Sequence, residues 1–220
     1  MTYTLHSRLG SGGFAVEAVL TAAGIKFDYH PMASKPDVPL GPGIAHLNPW
    51  QQVPVLELED GTIITETAAI LTYLSQKEAS LKNGPVLWVD DPAQFLRWSV
   101  FLSVNIYEGI LRKSYPARYV SGYPASAAPL ITGSVRDAAI RRVHEAFTCI
   151  EQATSDHAFL LGERMSPCDV FLAMLYAWHN QRPDLPKCTW ITRQVATHEA
   201  IRPIWKRNFH DRLDFKWHEL

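Results

Sequence analysis

Along the first eighty residues the apolar positions switch between the two-residue period of strands and the longer period of helices. Tyr3-Thr4-Leu5-His6 reads as a short first strand and Leu9-Gly10-Ser11-Gly12-Gly13 as a glycine-rich turn. Phe14, Val16, Val19, Leu20 and Ala23 then fall on one helical face, Gly24 supplies a C-cap, and Ile25-Lys26-Phe27-Asp28-Tyr29 forms a second strand. Strand, helix and strand in this order predict a parallel pair joined by a crossover helix. Residues 31–52 are rich in proline and glycine and are expected to be loop, with one short helix near Ile44-Leu47.

The segment from Asn48 to Leu74 is the most informative. Val53-Pro54 precedes the apolar run Val55-Leu56-Glu57-Leu58, so proline heads a strand, where its missing N–H is tolerated. The bond before it is a candidate for the cis form, which would expose the Val53 backbone to a ligand. Asp60-Gly61, set between that run and Thr62-Ile63-Ile64, is a strong hairpin signal. Thr65-Glu66-Thr67 then brings hydroxyls able to cap a helix bearing Ala69, Ile70, Tyr73 and Leu74.

Residues 78–91 read as a linker, and everything beyond them follows a helical period. Asp91-Pro92 opens a long helix through Phe95, Trp98, Leu102 and Ile106, with proline in the first turn. Ser134-Val135-Arg136-Asp137 resembles a capping box ahead of Ile140, Val143, Phe147 and Ile150. Ser166-Pro167-Cys168-Asp169 is the clearest cap in the chain, followed by Val170, Ala173, Met174 and Ala177 on one face.

The 220 residues suffice for one large or two small domains, and 47% hydrophobic with 20% charged residues is ordinary for a packed core. A net charge of −1 carries no electrostatic footprint for nucleic acid or an anionic membrane. Cys149, Cys168 and Cys188 lie far apart, without ligand spacing, and suit a reducing compartment. The nine histidines contain no HExxH or HxH spacing, so no metal site is indicated. With no apolar stretch of signal-peptide or membrane-spanning length, a soluble cytoplasmic protein is expected.

The ordered unit of Asn48-Pro49, Val53-Pro54, Asp60-Gly61, Glu66-Thr67, Ala69-Ile70 and Tyr73-Leu74 resembles the thioredoxin-like half of the soluble glutathione transferases. The hydroxyl-x-x-Asp cap at Ser166 matches the same family's helical half. The resemblance implies an α/β thioredoxin-like N-terminal domain (1–78), a linker (79–91) and an all-α helical domain (92–220). It also implies a homodimer that uses glutathione as co-substrate. The glutathione thiol would be activated for attack on a small hydrophobic electrophile, a chemistry of detoxification.

A free thiol with a pKa near 8.5 is only a few per cent ionised at neutral pH, so such an enzyme needs a donor and a helix N-terminus beside the sulfur. In the family that donor sits at the turn into the first helix. Here the turn offers Ser11 as the catalytic residue, with Ser7 or the Gly12 and Gly13 amides as alternatives. No cysteine precedes Cys149, which sets aside a glutaredoxin-like reductase.

By the same resemblance, the Val53 backbone before Pro54 would pair with the cysteinyl part of glutathione as an added strand does. Glu66 would pair with the γ-glutamyl ammonium and Thr67, where the family usually has serine, with its carboxylate. Gln52 and Lys35 complete the expected contacts, Lys35 toward the glycyl carboxylate. Gln51 in place of the usual glycine, and the bulky Trp50, depart from the family pattern. Asn105, Tyr107 and Glu108 are polar positions in an otherwise apolar helix and are the candidates for a second-substrate pocket, with Trp50 and Trp178 as an aromatic wall. The rival reading is a non-catalytic module of the same fold, serving assembly or regulation.

Overall fold

The computed structural model describes residues 2–32, 42–82, 84–179 and 183–209. Strand β1 (Tyr3–Ser7) pairs in parallel with β2 (Phe27–Pro31) and antiparallel with β3 (Val55–Glu57), which pairs antiparallel with β4 (Ile63–Thr65). The sheet order is β2-β1-β3-β4. Helix α1 (Gly13–Ala22) makes the crossover. β2 begins two residues later than the apolar run suggests, because the Ile25 N–H donates back to the Leu20 carbonyl at 2.9 Å and closes the helix end around Gly24 at φ +68°. The hairpin turn is as expected. Gly61 has φ +82°, and the Asp60 carboxylate accepts from the Thr62 N–H at 2.9 Å.

Helix α2 (Pro42–Ala45) lies in the long connection, and α3 (Thr67–Lys77) follows β4. The expected linker is packed rather than loose. It contains the single turn α4 (Ala79–Lys82), buries Leu81, Leu87 and Val89, and its Trp88 N–H donates to the Met165 carbonyl at 2.9 Å.

The remainder is helical. α5 (Pro92–Phe101) starts where Asp91 accepts from the Ala93 and Gln94 N–H groups, both at 3.0 Å. It does not continue as one α-helix. Leu102–Tyr107 is wound as a π-helix, and α6 (Glu108–Ser114) resumes the tighter pitch. The next helix, α7 (Ala128–Ala153), opens with Pro129 in its first turn and runs through Ser134, so the capping box expected there is interior sequence. Ser134 has no free helix end to cap. α8 (Pro167–Trp178) begins at the expected Ser166 capping box, and α9 (Pro186–Thr197) and α10 (Arg202–Phe209) follow.

One apolar core runs from the sheet through α1 and α3 into the helical half. Phe14 on α1 meets Trp205 and Phe209 of α10 edge-on, with ring centroids 5.4 and 4.7 Å apart. Glu17, buried on α1, pairs with Arg207, and the Gly10 N–H donates to the Asn208 side chain at 2.9 Å. These contacts pin the turn before α1 between the sheet and the end of α10. Among the described residues no helix is long and apolar enough to cross a membrane.

Candidate functional site

A cavity of about 400 Å³ opens where the start of α3 faces the π-helical segment. Its sheet-side wall is built by a loop held on one buried side chain. Asn48 donates to the Gln52 carbonyl at 2.9 Å and accepts from the Trp50 N–H at 3.0 Å. This lets Gln51 take φ +55° without glycine and sets Gln52, Val53 and Pro54 along the cavity, with the Val53-Pro54 bond cis.

Glu66 stands at the N-cap of α3 with φ +68° and ψ 120°. A non-glycine residue there costs of order 1–3 kcal/mol and persists where the surroundings over-determine it, a pattern that concentrates at ligand sites. The conformation turns Glu66 into the cavity beside Thr67, whose hydroxyl lies 3.4 Å from the Gly12 carbonyl. A carboxylate, a hydroxyl and a helix N-terminus thus converge on one wall.

The opposite wall comes from Ser103, Tyr107, Glu108, Leu111, Arg118, Tyr119 and Phe171. Tyr107 packs edge-on against Trp178 with centroids 5.2 Å apart, so Trp178 backs the wall rather than lining it. Burial, with the nearby Glu66, Glu108 and Tyr115, pushes the Tyr107 phenol up to about 12, against an opposing effect of the Arg8 cation. Tyr119 is likewise pushed up to about 12 by burial and a hydrogen bond to Glu108. Both phenols therefore keep their protons at neutral pH and are donors.

Eight of the residues singled out from sequence for the site meet here: Trp50, Gln52, Val53, Pro54, Glu66, Thr67, Tyr107 and Glu108. Asn105 does not. It donates to the Phe101 carbonyl at 3.3 Å, and two residues along a helix from Tyr107 it faces the other way. Lys35 lies outside the described residues. Ser11 is buried but is not part of the cavity lining. Its hydroxyl donates to the Arg8 carbonyl at 2.7 Å, accepts from the Gly13 N–H at 3.2 Å, and sits 3.4 Å from Ser7 Oγ. That proton closes the turn into α1. Arg118, Tyr119 and Phe171 carried no local signal. Ser103 and Leu111 lie four residues either side of Tyr107, and helical spacing alone would have named them. Among the described residues no group of three or more His, Cys, Asp or Glu side chains is placed to hold a metal ion.

Comparison with known proteins places this geometry. Over 94% of its length the chain superposes on 99% of a glutathione transferase homolog from Sulfitobacter with bound glutathione, at 19% identity and a TM-score of 0.80. Residues 15–77 match the family model described as glutathione S-transferase, N-terminal domain. The chain has the glutathione transferase fold. Within its α/β half the match to that domain model spans residues 15–77, and the helical half completes the shared architecture. Among curated relatives, the uncharacterized GST-like protein YncG of Escherichia coli K12 is 26% identical over 132 residues, 60% of this chain and 60% of that protein. A probable elongation factor 1-gamma of Arabidopsis thaliana is 28% identical over 131 residues, 59% of this chain and 29% of that protein. The matched region therefore spans less than two thirds of either curated relative. Glutathione transferase relatives thus sit beside one named for translation.

Proposed function

We propose that this chain binds glutathione in the cavity and activates its thiol for attack on a small electrophile. The observation that carries this reading is the convergence of the cis Val53-Pro54 backbone, Thr67 and the strained Glu66 on one wall, opposite an aromatic, partly apolar wall. In this reading the Val53 backbone takes the cysteinyl part of the peptide as an added strand. Glu66 pairs with the γ-glutamyl ammonium, while Thr67 and the N-terminus of α3 receive its carboxylate. Gln52 borders the same wall. The thiol gives its proton to water. The sulfur then forms a bond to the electrophilic carbon as the leaving group departs with its bonding pair. Phe171, Leu111 and Tyr107 give the second substrate an apolar surface, and Glu108 and Arg118 stand at its edge.

Replacing Glu66 by alanine should weaken glutathione binding by about 1.5–3 kcal/mol, since a hydrogen-bonded charge is removed. That corresponds to a rise in Kd of roughly 10- to 150-fold, measurable by titration calorimetry. Equal affinity of the wild type and Glu66→Ala would overturn the site assignment.

The second reading, a binding module without turnover, is favoured by one observation: the Ser11 proton is held by the Arg8 carbonyl. Retention on immobilised glutathione with no conjugation of an activated aryl halide would select it.

We further assign residues 1–78 to the glutathione-binding part and 92–220 to the helical part, in a cytoplasmic setting that keeps Cys149, Cys168 and Cys188 as free thiols. Leu96, Val100 and Val104 recur at four-residue spacing along 92–107 and remain 51%, 50% and 63% exposed, an apolar stripe that supports a homodimer. Sedimentation at micromolar concentration should give twice the chain mass. A monomer mass would remove the dimer.

A further inference from the structure

We propose that Tyr107 is a catalytic residue whose phenol O–H donates to the glutathione sulfur and holds it as the thiolate. The role expected of Ser11 at the start of α1 thus passes to a side chain from the helical half. The inference rests on glutathione binding in the cavity.

Position is the first ground. An atom placed where residue 12 lacks its Cβ would lie 3.2 Å from the Tyr107 hydroxyl, 2.6 Å from Thr67 Oγ1 and 3.4 Å from Pro54 Cδ. The phenol oxygen therefore reaches across the cavity to the junction of the first turn of α1, the proposed γ-glutamyl anchor and the proline after Val53. A cysteinyl group paired with the Val53 backbone has its sulfur in the cavity that Val53, Pro54, Thr67 and Tyr107 line together, within reach of the phenol. Because Gly12 has no side chain, Thr67, Pro54 and the Tyr107 hydroxyl close directly on the first turn of α1.

Preorganisation is the second. The ring is wedged between Trp178 at 5.2 Å and Phe171 at 6.3 Å, and it ends a π-helical segment, an irregularity frequent at functional sites. Its hydroxyl makes no hydrogen bond among the described residues. The phenol keeps its proton at neutral pH, as described above, so the group facing the sulfur is a donor. Ser11 offers the opposite on both points, being outside the cavity with its proton on Arg8.

No proton moves between Tyr107 and the sulfur. The thiol proton passes to water, the O–H of Tyr107 shares its hydrogen bond with the resulting S⁻, and that bond weakens as the sulfur pair forms the new bond to carbon.

The test is Tyr107→Phe, which keeps the ring between Trp178 and Phe171 and removes only the hydroxyl. The ultraviolet absorbance of the bound thiolate, followed against pH, should show its midpoint raised by about one pH unit or more. Turnover with an activated aryl halide should fall by about 10²-fold, as for loss of a preorganised donor. S-methylglutathione, which has no thiol, should bind wild type and variant alike. A midpoint unmoved in Tyr107→Phe while glutathione still binds would overturn the proposal, and a rise confined to Ser11→Ala would return the role to Ser11. Parallel loss of affinity for both ligands would make Tyr107 structural and also overturn it. Wild-type protein that binds no glutathione would remove the underlying reading as well, so the two failures are told apart by the wild type.

Discussion

Asp169→Ala should destabilise the protein by about 2–4 kcal/mol, because buried donors lose their acceptor at a cost of about 1–3 kcal/mol each. One carboxylate oxygen accepts from the Ser166 N–H at 2.8 Å and from the Ser166 hydroxyl at 2.6 Å, and the other accepts from the Leu160 N–H at 2.8 Å. Ser166, Asp169 and Leu160 are all buried, so water cannot replace the lost acceptor without opening the fold. The consequence extends beyond one cap. α8 is buried from Pro167 to Ala177 and is the helix on which α1 and α9 rest. Chemical denaturation of wild type and variant measures the difference, and a loss below about 1 kcal/mol would refute the argument.

The same side chain carries a pH signature. Burial outweighs the three donors and pushes the carboxyl up to about 6 from an ordinary 3.8. Between those values the folded state holds a proton that the unfolded chain has released. The stability from this group is therefore full below about 3.8 and lost as pH rises through about 6. Asp169→Asn should reduce the fall in stability across that window.

Gly13→Ala should cost about 2–3 kcal/mol, at the upper end for an overpacked site. Propensity predicts the reverse, because alanine is the better helix former by nearly 1 kcal/mol and Gly13 is the first helical residue of α1, with no positive φ to require glycine. The obstacle is the end of β1. A Cβ on residue 13 would sit 1.8 Å from Ser7 Oγ and 2.7 Å from Ser7 Cβ. The hydroxyl can rotate away but the Cβ cannot, so helix and strand must separate. Ser7→Gly in the same chain should recover at least 1 kcal/mol, and strict additivity of the two changes would show that they do not meet.

Legibility followed the range of the interactions. The unit from Val53 to Leu74 was readable because its signals are local: a proline heading a strand, Asp-Gly at a turn, a cap before a helix. The Asp91 and Ser166 caps were readable for the same reason. Ser134 misled because a capping pattern does not report whether the preceding turn is already helical. The π-helical segment over Leu102–Tyr107 left no mark in the spacing of Leu102 and Ile106, which suits either pitch. Asn105 and Tyr107 were both polar residues in an apolar run, and only the opposite wall distinguishes them. Gly12 and Gly13 read alike as amide donors in the sequence, yet one lets Thr67 and Tyr107 close on the first turn of α1 and the other lets β1 approach α1.

The hydrogen bond from Gly10 to Asn208 joins positions 198 residues apart. During synthesis the chain emerges amino end first, and α/β segments of this size begin to fold as they appear. The sheet, α1 and α3 have their own residues in hand early. The turn that leads into α1 does not, since Phe14 waits for Trp205 and Phe209 and Gly10 waits for Asn208. The turn into α1, which the Thr67 hydroxyl beside the cavity contacts through the Gly12 carbonyl, is thus the last part of the early half to be secured, and a nascent chain has its sheet well before this support is complete.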